Sequence, residues 1–117
     1  MKENQILVII KEPGKAPRVE PLFDNDLKAF QKAVGGYIET VTLATDLVII
    51  CNEEGRLKEL PYNRLASMFY GEMYHGQPIL GDVIFACYEY DYLISMDRAE
   101  KVVEDMLNCF RFLRRSA

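Results

Sequence analysis

Apolar residues along this chain recur in three patterns, and each predicts a different kind of element. Gln5 to Lys11 (QILVIIK), Asp46 to Cys51 (DLVIIC) and Asp82 to Tyr88 (DVIFACY) are short, nearly continuous apolar runs rich in β-branched residues. The first two have the pattern of central strands buried on both faces, and the third is a strand entered from the loop Pro78–Gly81. Tyr37 to Leu43 (YIETVTL) alternates, with polar positions at Tyr37, Glu39 and Thr40 or Thr42, as a half-buried strand does. Leu27, Phe30, Ala33 and Val34 recur at helical spacing with Lys28 and Lys32 opposite. From Asp97 onward Ala99, Val102, Val103, Met106, Leu107, Phe110 and Leu113 do the same over a longer stretch, to about residue 114. A shorter helix is expected after Asn63, with Leu65, Met68 and Phe69 inward. Arg18 to Phe23 and Tyr92 to Ser95 read as return strands.

Turn and cap residues punctuate these segments. Glu12-Pro13-Gly14-Lys15 places Pro and Gly at the central positions of a type II turn. Pro17 and Pro21 push the following strand to a sheet edge, where a missing donor does least harm. Asp24 or Asn25 is expected to cap the first helix and Gly35-Gly36 to end it. Asn52-Glu53-Glu54-Gly55 has the composition of a type I turn with a glycine bulge, returning through a strand from Arg56 to Leu60. Asp97 with Glu100 three residues later resembles a capping box at the start of the last helix. Together these predict a single α+β domain over residues 1–117. Its sheet is mixed or mainly antiparallel, with about five to seven strands packed by two main helices.

Composition changes this picture only by exclusion. With 14 Lys and Arg against 18 Asp and Glu, interspersed throughout, the net charge of −4 favours neither a nucleic-acid binder nor an acidic nucleic-acid mimic. No apolar run reaches a membrane span or an export signal, and the three separated cysteines, Cys51, Cys87 and Cys109, sit among apolar neighbours. A cytoplasmic protein with reduced, buried thiols is expected. No metal-ligand spacing, dinucleotide fingerprint or nucleophile elbow is present, so no metal or cofactor is expected. The single histidine, His75, gives a cysteine nucleophile little support.

Four blocks in order, Pro13-Gly14-Lys15, Val34 to Glu39 (VGGYIE), Asn52 to Gly55 (NEEG) and Pro61 with Asn63 and Arg64, resemble an uncharacterised domain family of phage, conjugative-element and Firmicutes proteins. The resemblance covers about residues 6–64. It implies a mobile-element setting and an unassigned function.

Two sets of residues are candidates for contact. Lys15, Glu39, Asn52, Glu53 and Arg64 would form an anionic or nucleotide-like ligand site if the blocks converge. Tyr88, Tyr90 and Tyr92 would share one face if their strand ran straight through. With Phe112, and with Met73 and Tyr74 nearby in sequence, they would form an aromatic interaction surface that a homodimer could bury. The Arg111, Arg114 and Arg115 cluster suits a helix C-terminus without any ligand. The leading reading is a non-enzymatic binding or regulatory protein acting through protein contacts, with a host defence system among the targets considered. A small-molecule-binding domain is the alternative, and an enzyme ranks third.

Overall fold

The computed structural model describes residues 4–71, 76–90 and 92–116, with side chains described through Cys109. Met73, Tyr74 and His75, and the side chains of Phe110 to Arg115 with Phe112 among them, lie outside the described residues. The described chain is α+β. Six antiparallel strands form one sheet: β1 (Gln5–Lys11), β2 (Arg18–Asp24), β3 (Ile38–Ala44), β4 (Leu47–Asn52), β5 (Val83–Glu89) and β6 (Tyr92–Ile94). The helices are α1 (Leu27–Val34), α2 (Arg64–Tyr70) and α3 (Ala99–Ser116). The sheet order is β2-β1-β5-β4-β3, with β6 also paired to β5.

The two continuous apolar runs at the N-terminus and before Cys51 lie inside the sheet, as does β5 between them. Burial alternates between two cores. Ile9, Ile49, Cys51, Phe85 and Cys87 face α2 and α3, where Leu65, Ala66, Met96, Ala99 and Met106 meet them. Ile6, Val8, Ile10, Val48, Ile50, Ile84 and Ala86 face α1 through Phe30. Both faces of β1, β4 and β5 are therefore covered, which is why these strands carry no polar alternation. β2 is an outer strand, where Pro21 is tolerated. Helix α1 carries the chain from β2 across to the opposite edge, where β3 forms the other outer strand and pairs with β4.

Several boundaries differ from the sequence expectation, each for a physical reason. The cap of α1 is Asp26, whose carboxylate accepts from the Ala29 N–H at 2.8 Å. Asn25 instead donates its side-chain amide to the Leu93 carbonyl, and the helix leaves Leu27 exposed. Met68 on α2 also points outward at 44% exposure, while Leu65, Ala66 and Ser67 are the buried residues. Helix α3 begins at Ala99, with Val102 N–H donating to the Arg98 carbonyl, two residues after Asp97.

The expected strand Arg56–Leu60 is absent. Strand β4 is already bonded to β3 on one side and β5 on the other, so a hairpin return has no vacant neighbour. The segment coils on itself instead: Lys58 N–H donates to Glu54 O, Glu59 N–H to Arg56 O and Leu60 N–H to Gly55 O.

Candidate functional site

The sequence blocks fall at one end of the sheet, where β1 and β4 finish and β3 and β5 begin (Lys11 opposite Val83, Ile38 opposite Asn52). They form two clusters there, each organised by a buried asparagine. Asn52 donates its carboxamide to the Val34 carbonyl at 3.0 Å and accepts from the Glu54 N–H at 2.8 Å. It thereby fixes the end of α1 to the turn after β4. Gly35 ends α1 at φ 82°, in the left-handed region that glycine reaches without a steric cost. Gly36 serves a different need. A Cβ there would lie 3.0 Å from Asn52 Nδ2 and 2.7 Å from Lys58 Nζ, so its missing side chain admits Asn52.

The second cluster centres on Asn63, which is fully buried. Its Oδ1 accepts from the Ala66 N–H at 3.2 Å and caps α2, while Nδ2 donates to the carbonyls of Lys11 (3.0 Å) and Gly81 (2.9 Å). One side chain thus ties together the end of β1, the start of α2 and the entry to β5. Ser67 extends the stitching by exchanging hydrogen bonds with both the N–H and the carbonyl of Ile79. The cap agrees with the helix expected after Asn63; the two extra acceptors depend on tertiary approach and have no local signal.

The five ligand candidates do not converge. Glu39, Asn52 and Glu53 line one cavity of about 350 Å³. Its walls come from β3 (Glu39 and Val41), the turn after β4 (Glu53, Glu54 and Arg56), Tyr70 at the end of α2 and the segment 77–80. Asn52 is committed to the two backbone contacts above. Lys15 and Arg64 are not part of these walls. Lys15 lies on the β1–β2 turn, 2.8 Å from Glu12, which Arg18 also approaches at 2.6 Å. Those two hydrogen bonds, from Lys15 first, lower the Glu12 carboxyl below its ordinary range. Arg64 is the exposed first residue of α2. The β1–β2 turn and the turn after β4 share an end of the sheet but lie on opposite sides of β5.

The cavity also holds a residue that the sequence placed only as a core thiol. Cys51 lines it, and its Sγ lies 3.7 Å from the Glu39 carbonyl. Burial, reinforced by the Glu39 carboxylate, pushes this thiol up to about 12, so it stays protonated at neutral pH. Burial likewise raises Cys87 and lowers the ammonium of Lys11, which is nearly inaccessible beneath the β1–β2 turn. Among the described residues no group of three or more His, Cys, Asp or Glu side chains is placed to hold a metal ion.

The aromatic candidates are also separated. β5 does not run straight through the tyrosines; it ends at Glu89 and turns back into β6. Tyr88 is opposite Leu93 and half-buried against the α1-side core. Tyr92 is opposite Glu89 and so on the other face, 74% exposed. Tyr90 occupies the turn at 85% exposure with φ 49°, one of two non-glycine residues at positive φ among the described residues. The surface left by this arrangement is a hairpin tip carrying Tyr90 and Tyr92 rather than a stripe of three.

No helix among the described residues is long and apolar enough to cross a membrane. No curated protein and no solved structure gives a significant match to the chain. A family model described as a domain of unknown function (DUF3846) matches residues 4–108, which spans both asparagine clusters, the cavity and the hairpin, and the chain belongs to that family.

Proposed function

We propose that the chain is a non-enzymatic binding protein that contacts a protein partner through the β5–β6 hairpin. The observation that supports this reading is Tyr90. A tyrosine in the left-handed region costs about 1–2 kcal/mol relative to an ordinary backbone conformation, and a turn serving the fold alone is made more cheaply with Asn or Gly. Yet Tyr90 holds φ 49° with its side chain 85% exposed, beside Tyr92 at 74%. Strain retained at an exposed aromatic is characteristic of contact sites, and tyrosine supplies large contact area at low entropic cost. The setting we infer, from the resemblance of the sequence blocks, is a cytoplasmic protein of a mobile element with a host protein as partner, defence machinery included.

The pair Tyr90→Asn and Tyr92→Thr removes both rings while suiting the turn and the strand. Affinity capture from host cells should recover a protein with the wild type that the double variant loses, with circular dichroism unchanged and the melting temperature equal or higher. Equal recovery by both proteins, or none by the wild type, removes the hairpin from the function.

The cavity favours a second reading, a small-ligand site. At about 350 Å³ it falls within the size range of small-molecule sites. Among the described residues its walls carry Glu39, Glu53 and Glu54 with Arg56 as the one cation, which suits a cationic ligand rather than the anionic one expected from Lys15 and Arg64. A thermal-shift panel setting polyamines against nucleotides decides between them, and stabilisation by nucleotides alone would overturn the charge argument.

A further inference from the structure

The two outer strands of the sheet are built differently. Strand β2 has Pro17 just ahead of it and Pro21 within it, and carries Arg18, Glu20 and Asp24. Prolines and charges are the devices that keep an outer strand from pairing with another chain. Strand β3 (IETVTLA) contains no proline, glycine or lysine, and its only charge is Glu39. Among the described residues it pairs with β4 alone, leaving a seven-residue strand of β-favouring composition with its outer edge open. The irregularity in its register against β4 lies between Thr42 and Ala44, so Ile38 to Thr42 remains regular.

We infer that β3 is a self-association seam, along which two copies of this chain pair antiparallel about a two-fold axis and continue the sheet from one protomer into the next. A two-fold axis perpendicular to the sheet keeps each face on its own side. The α1 layers then become neighbours on one face, and the α2 and α3 layers on the other. The alternation of β3 fits this arrangement: Val41 and Leu43 pack with the core under α2 and α3, and Ile38 with the core under α1. Thr40 and Thr42 share the Ile38 face, exposed. Centred on Thr40 or Val41, the pairing sets Glu39 opposite Val41 or Leu43 of the other copy, so the one charge on the strand never meets itself. Closure follows from the contrast between edges. Pairing β3 onto β2 would propagate without end, but the prolines and charges of β2 oppose it, whereas β3 on β3 stops at two copies.

The test is the solution mass of the full chain, by light scattering across a concentration series, for the wild type and for Thr40→Lys with Thr42→Lys. Either register brings like charges together across the seam while touching no buried contact. The wild type is expected at twice the protomer mass and the lysine variant at the protomer mass, with identical circular dichroism. Thr40→Val with Thr42→Val should keep the dimer. A wild type that stays at protomer mass up to its solubility limit overturns the inference, as does a dimer that survives both lysines. Should the lysine variant fail to fold, hydrogen exchange on the wild type decides instead: β3 amides gain protection with protein concentration while β2 amides do not. Concentration-independent β3 exchange overturns the seam. The hairpin variant Tyr90→Asn with Tyr92→Thr should leave the dimer intact, so failure of the seam and failure of the hairpin reading are distinguishable.

Discussion

Asn63 shows how much a single polar residue does in this fold. It is buried completely, and its carboxamide satisfies one helix N–H and two strand-end carbonyls. Removing it leaves three buried backbone groups without that partner, each of which loses a hydrogen bond that water cannot replace. Asn63→Ala is therefore expected to cost about 2–4 kcal/mol, combining the lost cap with the two buried carbonyls left without this donor. Asn63→Asp separates the two duties. It keeps the cap oxygen but sets a carboxylate against the Lys11 and Gly81 carbonyls, which raises its folded pKa. The penalty is fully present above that raised folded pKa, shrinks as pH falls through it, and is gone below the unfolded aspartate value of about 4. Urea unfolding at neutral and acidic pH checks both statements; an alanine variant as stable as wild type would mean that the two carbonyls find other partners. The cap was legible in the sequence because capping is a local property. The contacts to Lys11 and Gly81, 52 and 18 residues away, were not, because they exist only once three elements converge.

At the scale of elements, the strands that were legible are those whose pattern has one structural solution. The apolar runs of β1 and β4 had to be buried on both faces, and the prolines of β2 had to lie at an edge; β5 read only as a strand, and its place between β1 and β4 came with the fold. Residues 56–60 were misleading because a turn after β4 looks the same whether or not a neighbouring position in the sheet is vacant. The candidate site divided for a related reason: α1 crosses the whole sheet, and this places the Glu39–Glu53 cavity on one side of β5 and Lys15 on the other. The glycine pair ends α1, as the sequence predicts, but its two members serve different elements. Gly35 is needed for its backbone conformation and Gly36 for the approach of Asn52. Gly35→Ala should therefore cost about 1 kcal/mol whatever occupies position 52. Gly36→Ala should be destabilising only while Asn52 is present, since Lys58 can swing aside but the Asn52 amide is held by Val34 and Glu54. A double-mutant cycle with Asn52→Ala measures this coupling, and an additive Gly36–Asn52 pair would place the need for glycine elsewhere.

For the molecule as a whole, the sheet is a wall shared by two cores, and the helices on its faces do not define separate units. Neighbouring residues of β4 make this testable. Ile49 is wholly buried in the core under α2 and α3, and Ile50 is wholly buried in the core under α1. Each Ile→Val change removes one methylene and should cost about 0.5–1.5 kcal/mol. The two side chains point to opposite faces and share no packing partners in those cores, so the double variant should sum the two costs to within about 0.5 kcal/mol despite their adjacency in sequence. Because β1, β4 and β5 contribute to both cores, neither layer can come apart while the other stays folded. Urea unfolding of all three variants should therefore show one transition with an unchanged m-value, only its midpoint shifting. If Ile50→Val instead lowered the m-value or split off an early transition, the α1 layer would be opening on its own. The β5–β6 hairpin and strand β3, both on the sheet itself, would then belong to a more stable unit than α1, and mutations in α1 would leave the two proposed contacts unaffected.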